Sequence, residues 1–497
     1  MKYIDYMQLN PFQRAGYKIS QFFINLPKNI VKFFKFIGAA IAKFFIGIGK
    51  GIANYFTRFV KGDVFTKLSY IFMGTGNIFH GQIIKGLIFL LIEAAYVCFM
   101  IFFGGSYLVD FTTLGTHEPG QQKNAAGFWV DVAGDNSMKI LLYGVLTIVI
   151  TVVFFAIYIM STKSAYNTYL IKKEGKKPAS FAEEVKQLLD QRFHTTLLSF
   201  PVLTISIFTI LPLIFMILIA FTNFDSHHQN NFFDWVGFQT FGEVFDIAGG
   251  AKKAYTFVEL AKWTILWAVC ATFTNYIGGM ILALMINKKG IKLKSLWRTL
   301  FVVTVAVPQF VSLILISQML KVDGAVNIIL QNLHWIDKPI NFFGSDPWLA
   351  RITLIVVNCW VGIPYTILIT SGILMNIPAD LYESATIDGA GPVKSFTKIT
   401  LPYMLFVTTP YLITTFIGNI NNFNVIYLLS NGDPGSTKLY QAGQTDILVT
   451  WLFKLTMNYN DNNLAAAVGI LVFVVCATLS LITFNLTKSA KNEEEFS

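Results

Sequence analysis

Asn358, Gly362, Tyr365 and Ile369 follow one another at spacings of four, three and four inside a run of apolar residues. At 3.6 residues per turn they share one helix face. Thr415, Asn419 and Asn422 share another face further along the chain. Amides on apolar helices have two uses. They can hydrogen-bond neighbouring helices, or they can offer donors and acceptors to a neutral, hydroxyl-rich ligand whose C–H faces suit an aromatic ring. Spacing alone leaves both readings open. An ion is disfavoured, because no strong charge lies in these runs. Glu93 differs: it is a lone carboxylate in an apolar run, costly in hydrocarbon. It reads as structural, paired with Lys85 two turns away or set against a polar neighbour.

Other chemistry is not found. A phosphate-cradling G-x-x-x-x-G-K-[ST] loop does not occur: Gly51 follows Gly49-Lys50, with Phe44 where the first glycine belongs, and Gly175-Lys176 fails too. Any ATP-driven work must use another subunit. The motif HExxH is missing, and the adjacent His227 and His228 are poorly spaced for one metal. Cys98, Cys270, Cys359 and Cys476 all fall in apolar runs without CxxC spacing, which predicts neither a metal site nor a disulfide framework. With no Ser-His-Asp set and no paired carboxylates, the chain does not read as an enzyme on its own, and no cofactor is expected in it.

The elements that position these residues are membrane spans. Of 497 residues, 54% are hydrophobic and 13% charged, and the mean hydropathy is +0.56. Soluble domains carry about 25% charge, so an all-α polytopic membrane protein is expected. Eight runs have roughly the 20-residue length a span needs: 86–103, 140–160, 197–221, 263–286, 297–320, 352–374, 403–429 and 464–484. Pro201, Pro212, Pro308, Pro364 and Pro410 lie inside four of them and predict kinks. Residues 1–82 interleave Lys28, Lys32, Lys35, Lys43 and Lys50 with Phe33, Phe34, Ile37, Ile41, Phe44, Ile48 and Ile52. That pattern predicts a basic amphipathic helix lying on lipid. The expected organisation is this segment, then two spans and a loop over 83–196, a six-helix core over 197–486 and a tail over 487–497.

The net charge of +10 does not point to nucleic acid, because the basic residues gather in particular loops. Lys163, Lys172, Lys173, Lys176 and Lys177 follow the second span, and Lys288, Lys289, Lys292, Lys294 and Arg298 follow the fourth. The positive-inside rule makes these loops cytoplasmic. Eight spans then place both termini and the loop over 377–402 on the cytoplasmic side.

That loop has its own grammar. Pro378 suits a first helical turn, and Ala379 to Ile387 are mostly fair helix formers. Asp388 to Pro392 must break the helix. A second short helix is expected from Val393 to Ile399, with Pro402 opening the next span. Glu383-Ser384-Ala385, Gly389, Ile399 and Leu401-Pro402 stand at ungapped spacing, with Asp388 and Gly391 in the turn. This stretch resembles the EAA loop of ABC-importer permeases, with Ser384 in place of the usual Ala. The resemblance implies a coupling helix that docks in a groove of an ATPase subunit.

The likeness runs on through Val357-Asn358-Cys-Trp360-Val-Gly362-Ile-Pro364-Tyr365, Asn419-Ile-Asn421-Asn422-Phe423, Asn431-Gly432-Asp-Pro434 and Thr445-Asp446-Ile-Leu448-Val-Thr450. These stretches resemble the maltose/maltodextrin permease of the MalF type. The resemblance implies a bacterial plasma-membrane importer in which Asn358, Gly362, Tyr365, Asn419, Asn421 and Asn422 meet a maltodextrin-type oligosaccharide. It also implies a second permease, two ATPase subunits that hold ATP and Mg, and an extracellular solute-binding protein. Two features depart from the pattern: only 222–262 lie between the third and fourth spans, where some members carry a long domain, and Val305 stands where some have Tyr. An importer of another neutral oligosaccharide fits equally. An ion-coupled secondary transporter fits poorly, because it needs clustered intramembrane carboxylates.

Overall fold

The computed structural model describes residues 45–486 apart from 124–127, 133, 229–231, 247–248 and 289, together with 35, 38–39 and 42–43. The tail and most of residues 1–44 of the expected basic amphipathic segment lie outside these residues. Residues 45–61 within that segment are helical, with Ile48, Ile52, Phe56 and Phe59 exposed. The described residues form two compact units, one from those before 110 with 143–209, the other from 110–142 with those from 210 onward.

Among the described residues seven helices are long and apolar enough to cross a membrane. They are α1 (Ile83–Asp110), α2 (Ser137–Lys173), α3 (Phe193–Ile219), α4 (Lys252–Asn287), α7 (Pro347–Met375), α9 (Pro392–Ile420) and α12 (Asn462–Leu486). An eighth crossing exists if α5 (Lys294–Ala306) and α6 (Gln309–Met319) count as one span; they meet at 89°. Pro308 sits at that break, with Val307 ahead of it extended at φ −78° and ψ 125°. A proline disfavours the helical region for the residue before it, so the fifth span breaks outright rather than kinking. Between the crossings lie α8 (Ala379–Ile387), α10 (Phe423–Ser430) and α11 (Leu448–Met457). Apart from isolated bridges at Thr222–Trp235 and Gly435–Gly443, the β structure among the described residues is a ribbon of β1 (Gly120–Lys123) and antiparallel β2 (Trp129–Val132), with Gly120 opposite Val132.

Two expectations need correction around α9. The second loop helix is not separate: residues Pro392 to Ile420 run as one helix through a π turn at Phe396–Thr400. Pro402 has no N–H and crowds the carbonyl four residues back, which is Lys398, inside that wider turn. Pro402 therefore lies within the span rather than opening it. The seventh span also ends earlier than expected. Asn421 leaves the helix at Ile420, and Asn422 caps α10 by accepting from the Val425 N–H at 3.4 Å.

In the second unit α4 is the axis. Its Trp263, Trp267 and Ala271 pack with Leu354 and Val357 of α7, Leu313 of α6 and Val425 of α10. Leu260 and Ala268 join Trp451, Leu455 and Val468 from α11 and α12, while Tyr276 and Met280 pack on Met404 of α9. Small residues let the backbones close in: a Cβ added at Gly279 would lie 2.5 Å from Thr366 Cβ.

In the first unit Glu93 is not paired with Lys85. Its Oε2 accepts the Met73 N–H at 2.7 Å, and Lys85 instead pairs with Glu184 at 2.7 Å. A non-helical backbone donor reaches the carboxylate before any cation does. Gln82 donates to the same Glu184 oxygen and to the Ala179 carbonyl, tying the start of α1 to the loop after α2.

Candidate coupling loop and transport pathway

Asp380 occupies the first turn of α8, where the positive end of the helix dipole favours a carboxylate. The helix ends in a Schellman turn: the Ala390 N–H donates to the Ala385 carbonyl at 2.8 Å and the Gly389 N–H to that of Thr386 at 3.0 Å. Gly389 takes φ +72° there, and no atom lies within 4 Å of an added Cβ. Glycine is thus required by backbone conformation and not by crowding. The Tyr382 hydroxyl meets that of Thr400 at 2.8 Å, pinning α8 to the foot of α9.

No residue of α8 is buried. Glu383, Ser384, Asp388, Gly389, Gly391 and Pro402 are exposed, and Ala385, Ile399 and Leu401 are half-buried. Ile387 is 86% exposed and Val393 76%. The loop is thus self-stabilised and leaves large apolar side chains uncovered.

The predicted pathway residues separate into four places. Tyr365 and Trp360 of α7 line a cavity of about 290 Å³ with Gln309, Ser312, Thr304 and the backbone around Pro308. The break in the fifth span makes one wall of it. Asn421 lines a different, more apolar cavity of about 420 Å³ between α9, α11 and α12. Asn419 is buried and donates to the Thr272 hydroxyl of α4 at 2.9 Å; Asn422 donates to Asn419 Oδ1 at 3.3 Å. Each of these two amide nitrogens has a second N–H beyond the bond it makes. Asn358 is buried, and Gly362 lies so close to α4 that a Cβ would sit 2.0 Å from Asn275 Nδ2.

Sequence reasoning missed a charged knot between α10 and α11. Asp446 is fully buried and pairs with Lys454 at 2.7 Å. It also accepts from the Gly443 N–H and the Thr450 hydroxyl, and Lys454 donates to the Asn431 carbonyl at 2.6 Å. Burial pushes the Asp446 carboxyl up, against the pull of the Lys454 ammonium and these donors. Helices from elsewhere hold the knot: the Trp263 indole donates to the Thr445 carbonyl, and Arg351 donates to that of Gln444. The Arg351 guanidinium also lies 4.7 Å from the Trp263 ring. The available signal was Lys454, the one charge in the apolar run of α11.

Comparison with known proteins fits this architecture. Residues 275–491 match the family described as binding-protein-dependent transport system inner membrane component. The chain is 34% identical over 433 residues to the maltodextrin transport system permease protein MdxF of Bacillus subtilis (strain 168), covering 85% of this chain and 95% of that one. It is 35% identical over 440 residues to the galactooligosaccharides transport system permease protein GanP of the same organism, covering 85% and 97%. To the maltose/maltodextrin transport system permease protein MalF of Escherichia coli (strain K12) it is 36% identical over 259 residues, covering 51% and 49%. With its seven or eight apolar helices, the chain belongs to the family of binding-protein-dependent inner-membrane transport components and is an ABC-importer sugar permease of the MalF/MalC type.

Proposed function

We propose that this permease imports maltodextrin-type oligosaccharides, with α8 as its contact to an ATPase subunit. The observation that carries the coupling role is the exposed, Schellman-capped helix bearing Glu383-Ser384-Ala385 and Gly389, pinned to α9 through Tyr382. In this reading two ATPase subunits hold ATP and Mg, a second permease completes the pathway, and an extracellular solute-binding protein delivers the sugar. Closure of the ATPase pair pushes α8. Because the second loop segment and α9 are one helix, that push reaches the Asn419–Asn422 region directly. Both termini and the loop over 377–402 face the cytoplasm, which the placement of lysines and arginines supports.

Tyr365 and Trp360 offer aromatic faces to a sugar ring, and Gln309 and Ser312 offer polar groups to its hydroxyls. The second N–H on each of Asn419 and Asn422 suits a further hydroxyl, as do Asn358 and Asn421. A galacto-oligosaccharide is the competing cargo, favoured by the comparable likeness to GanP. The deciding experiment is ATP-dependent uptake by vesicles holding the full complex and its binding protein. Maltotriose should accumulate, and a galacto-oligosaccharide in tenfold excess should compete weakly. Accumulation of the galacto-oligosaccharide alone reverses the assignment.

A further inference from the structure

The seam between α4 and α7 contains buried polar atoms that the packing leaves without partners. Asn275 Oδ1, Asn358 Nδ2 and Trp267 Nε1 have no hydrogen-bond partner among the described residues. Asn275 is 8% exposed, Asn358 3% and Trp267 not at all. Buried polar groups in native proteins are almost always paired, and an orphaned one costs more than its hydrogen bond contributes.

The register brings these groups together. Gly362 abuts Asn275, and Gly279 abuts Thr366, so successive turns of α4 meet successive turns of α7 with both helices running the same way. One turn earlier, Asn358 comes opposite Ala271, and Trp267 opposite Leu354. Ala271, Trp267, Leu354 and Val357 pack in one cluster, which agrees with this register. On this register Ala271 is the small side chain at the Asn358 level, with Asn275 one turn to one side and Trp267 one turn to the other. Asn275 and Asn358 stand on levels of the seam one turn, ~5.4 Å, apart, and neither orphaned atom is bonded to the other. A one-turn step suits one oxygen at hydrogen-bond distance, about 2.9 Å, from each.

We propose that this seam is a hydroxyl-binding site: Asn275 and Asn358 jointly hold one O–H group that accepts from Asn358 and donates to Asn275. A hydroxyl both donates and accepts, so it satisfies the pair even with the Asn275 amide turned over. Its two sources are a resident water and a hydroxyl of the transported sugar. The second source rests on the oligosaccharide reading above; the first does not. In either case Asn275 shares the guest with Asn358 from a helix outside the set of predicted pathway residues.

The test compares parent and Asn275→Leu complexes, both in detergent without sugar and in vesicles. Without a guest, replacing an orphaned buried amide by a similarly sized apolar side chain raises the melting midpoint. With a resident water, the same change strands Asn358 and lowers the midpoint by a few degrees. With a sugar hydroxyl, the KM for maltotriose rises about tenfold, the size of one lost hydrogen bond. One monodeoxy analogue then shows the same KM in parent and variant. A midpoint that is unchanged or raised together with an unchanged KM overturns the proposal. If Asn275→Leu does not assemble, Asn275→Ala, which removes the amide without adding bulk, is read the same way, and its failure to assemble also overturns it. A parent complex that imports no maltotriose refutes the oligosaccharide reading alone, because the midpoint still reports on the seam.

Discussion

The loop carrying α8 and the segment from Asn431 to Lys454 both connect apolar helices, yet their polar groups face opposite ways. Nothing in α8 is buried, and its bonds are its own helix and turn plus the Tyr382–Thr400 contact. The other segment buries a complete ion pair and is held by Trp263 and Arg351 from two distant helices. A surface meant for another protein keeps its side chains uncommitted. A joint that fixes helices turns its polar groups inward, and must then satisfy every one of them.

The largest effect expected from this contrast is at Asp446. Asp446→Ala leaves the Lys454 ammonium buried and unpaired, and should cost about 3–5 kcal/mol. Thermal unfolding of the purified complex would register this as a large fall in midpoint. Replacing both partners, with Asp446→Leu and Lys454→Met, should recover most of the loss. A mild single-variant effect would show that water reaches the pair and that the joint is not dry.

Gly432 comes next. It holds φ +83°, and an added Cβ would lie 2.4 Å from Asp446 Oδ1 and from Lys454 Nζ. Gly432→Ala should therefore destabilise by roughly 2–4 kcal/mol, since overpacking adds to backbone strain. At Gly389 the backbone is just as left-handed, but the surroundings are open. Gly389→Ala should cost only about 1 kcal/mol, and Gly389→Asn less, because asparagine tolerates that region. Equal losses at the two glycines would erase the distinction between the regions.

The smallest stability effect is expected at Ile387, where Ile387→Ala should change the midpoint by less than about 0.5 kcal/mol equivalent. Its effect should instead appear in how firmly the ATPase subunit is retained during purification. A stability loss comparable to that at Gly432 would mean that α8 is a packed element and not an uncovered one.

The same contrast explains what was legible beforehand. The α8 boundaries at Ala379 and Ile387 follow from Pro378 and from the breaker run Asp388 to Pro392, signals within a few residues of each other. So does the glycine needed at 389. The apolar runs announced the spans, because hydrocarbon demands length and composition and nothing subtler. Fusion of the second loop helix with α9 was hidden, since Pro402 looks like a helix start until a π turn absorbs it. The break at Pro308 was visible as a proline, but its 89° angle depends on packing. Partners far apart in sequence could not be read at all. Trp263 meets Thr445, and Asn275 fills the notch at Gly362. For the pathway, the sequence marked the amides of Asn419 and Asn422 without revealing that helix contacts already engage one N–H of each.

The central claim is that α8 couples this permease to an ATPase subunit. The most direct measurement takes parent and Glu383→Lys complexes from membranes with equal amounts of permease. It scores retained ATPase subunit and ATP-dependent maltotriose uptake together. The account predicts that the variant inserts normally, loses most of its ATPase subunit and imports little sugar. Full retention with parental uptake would contradict it.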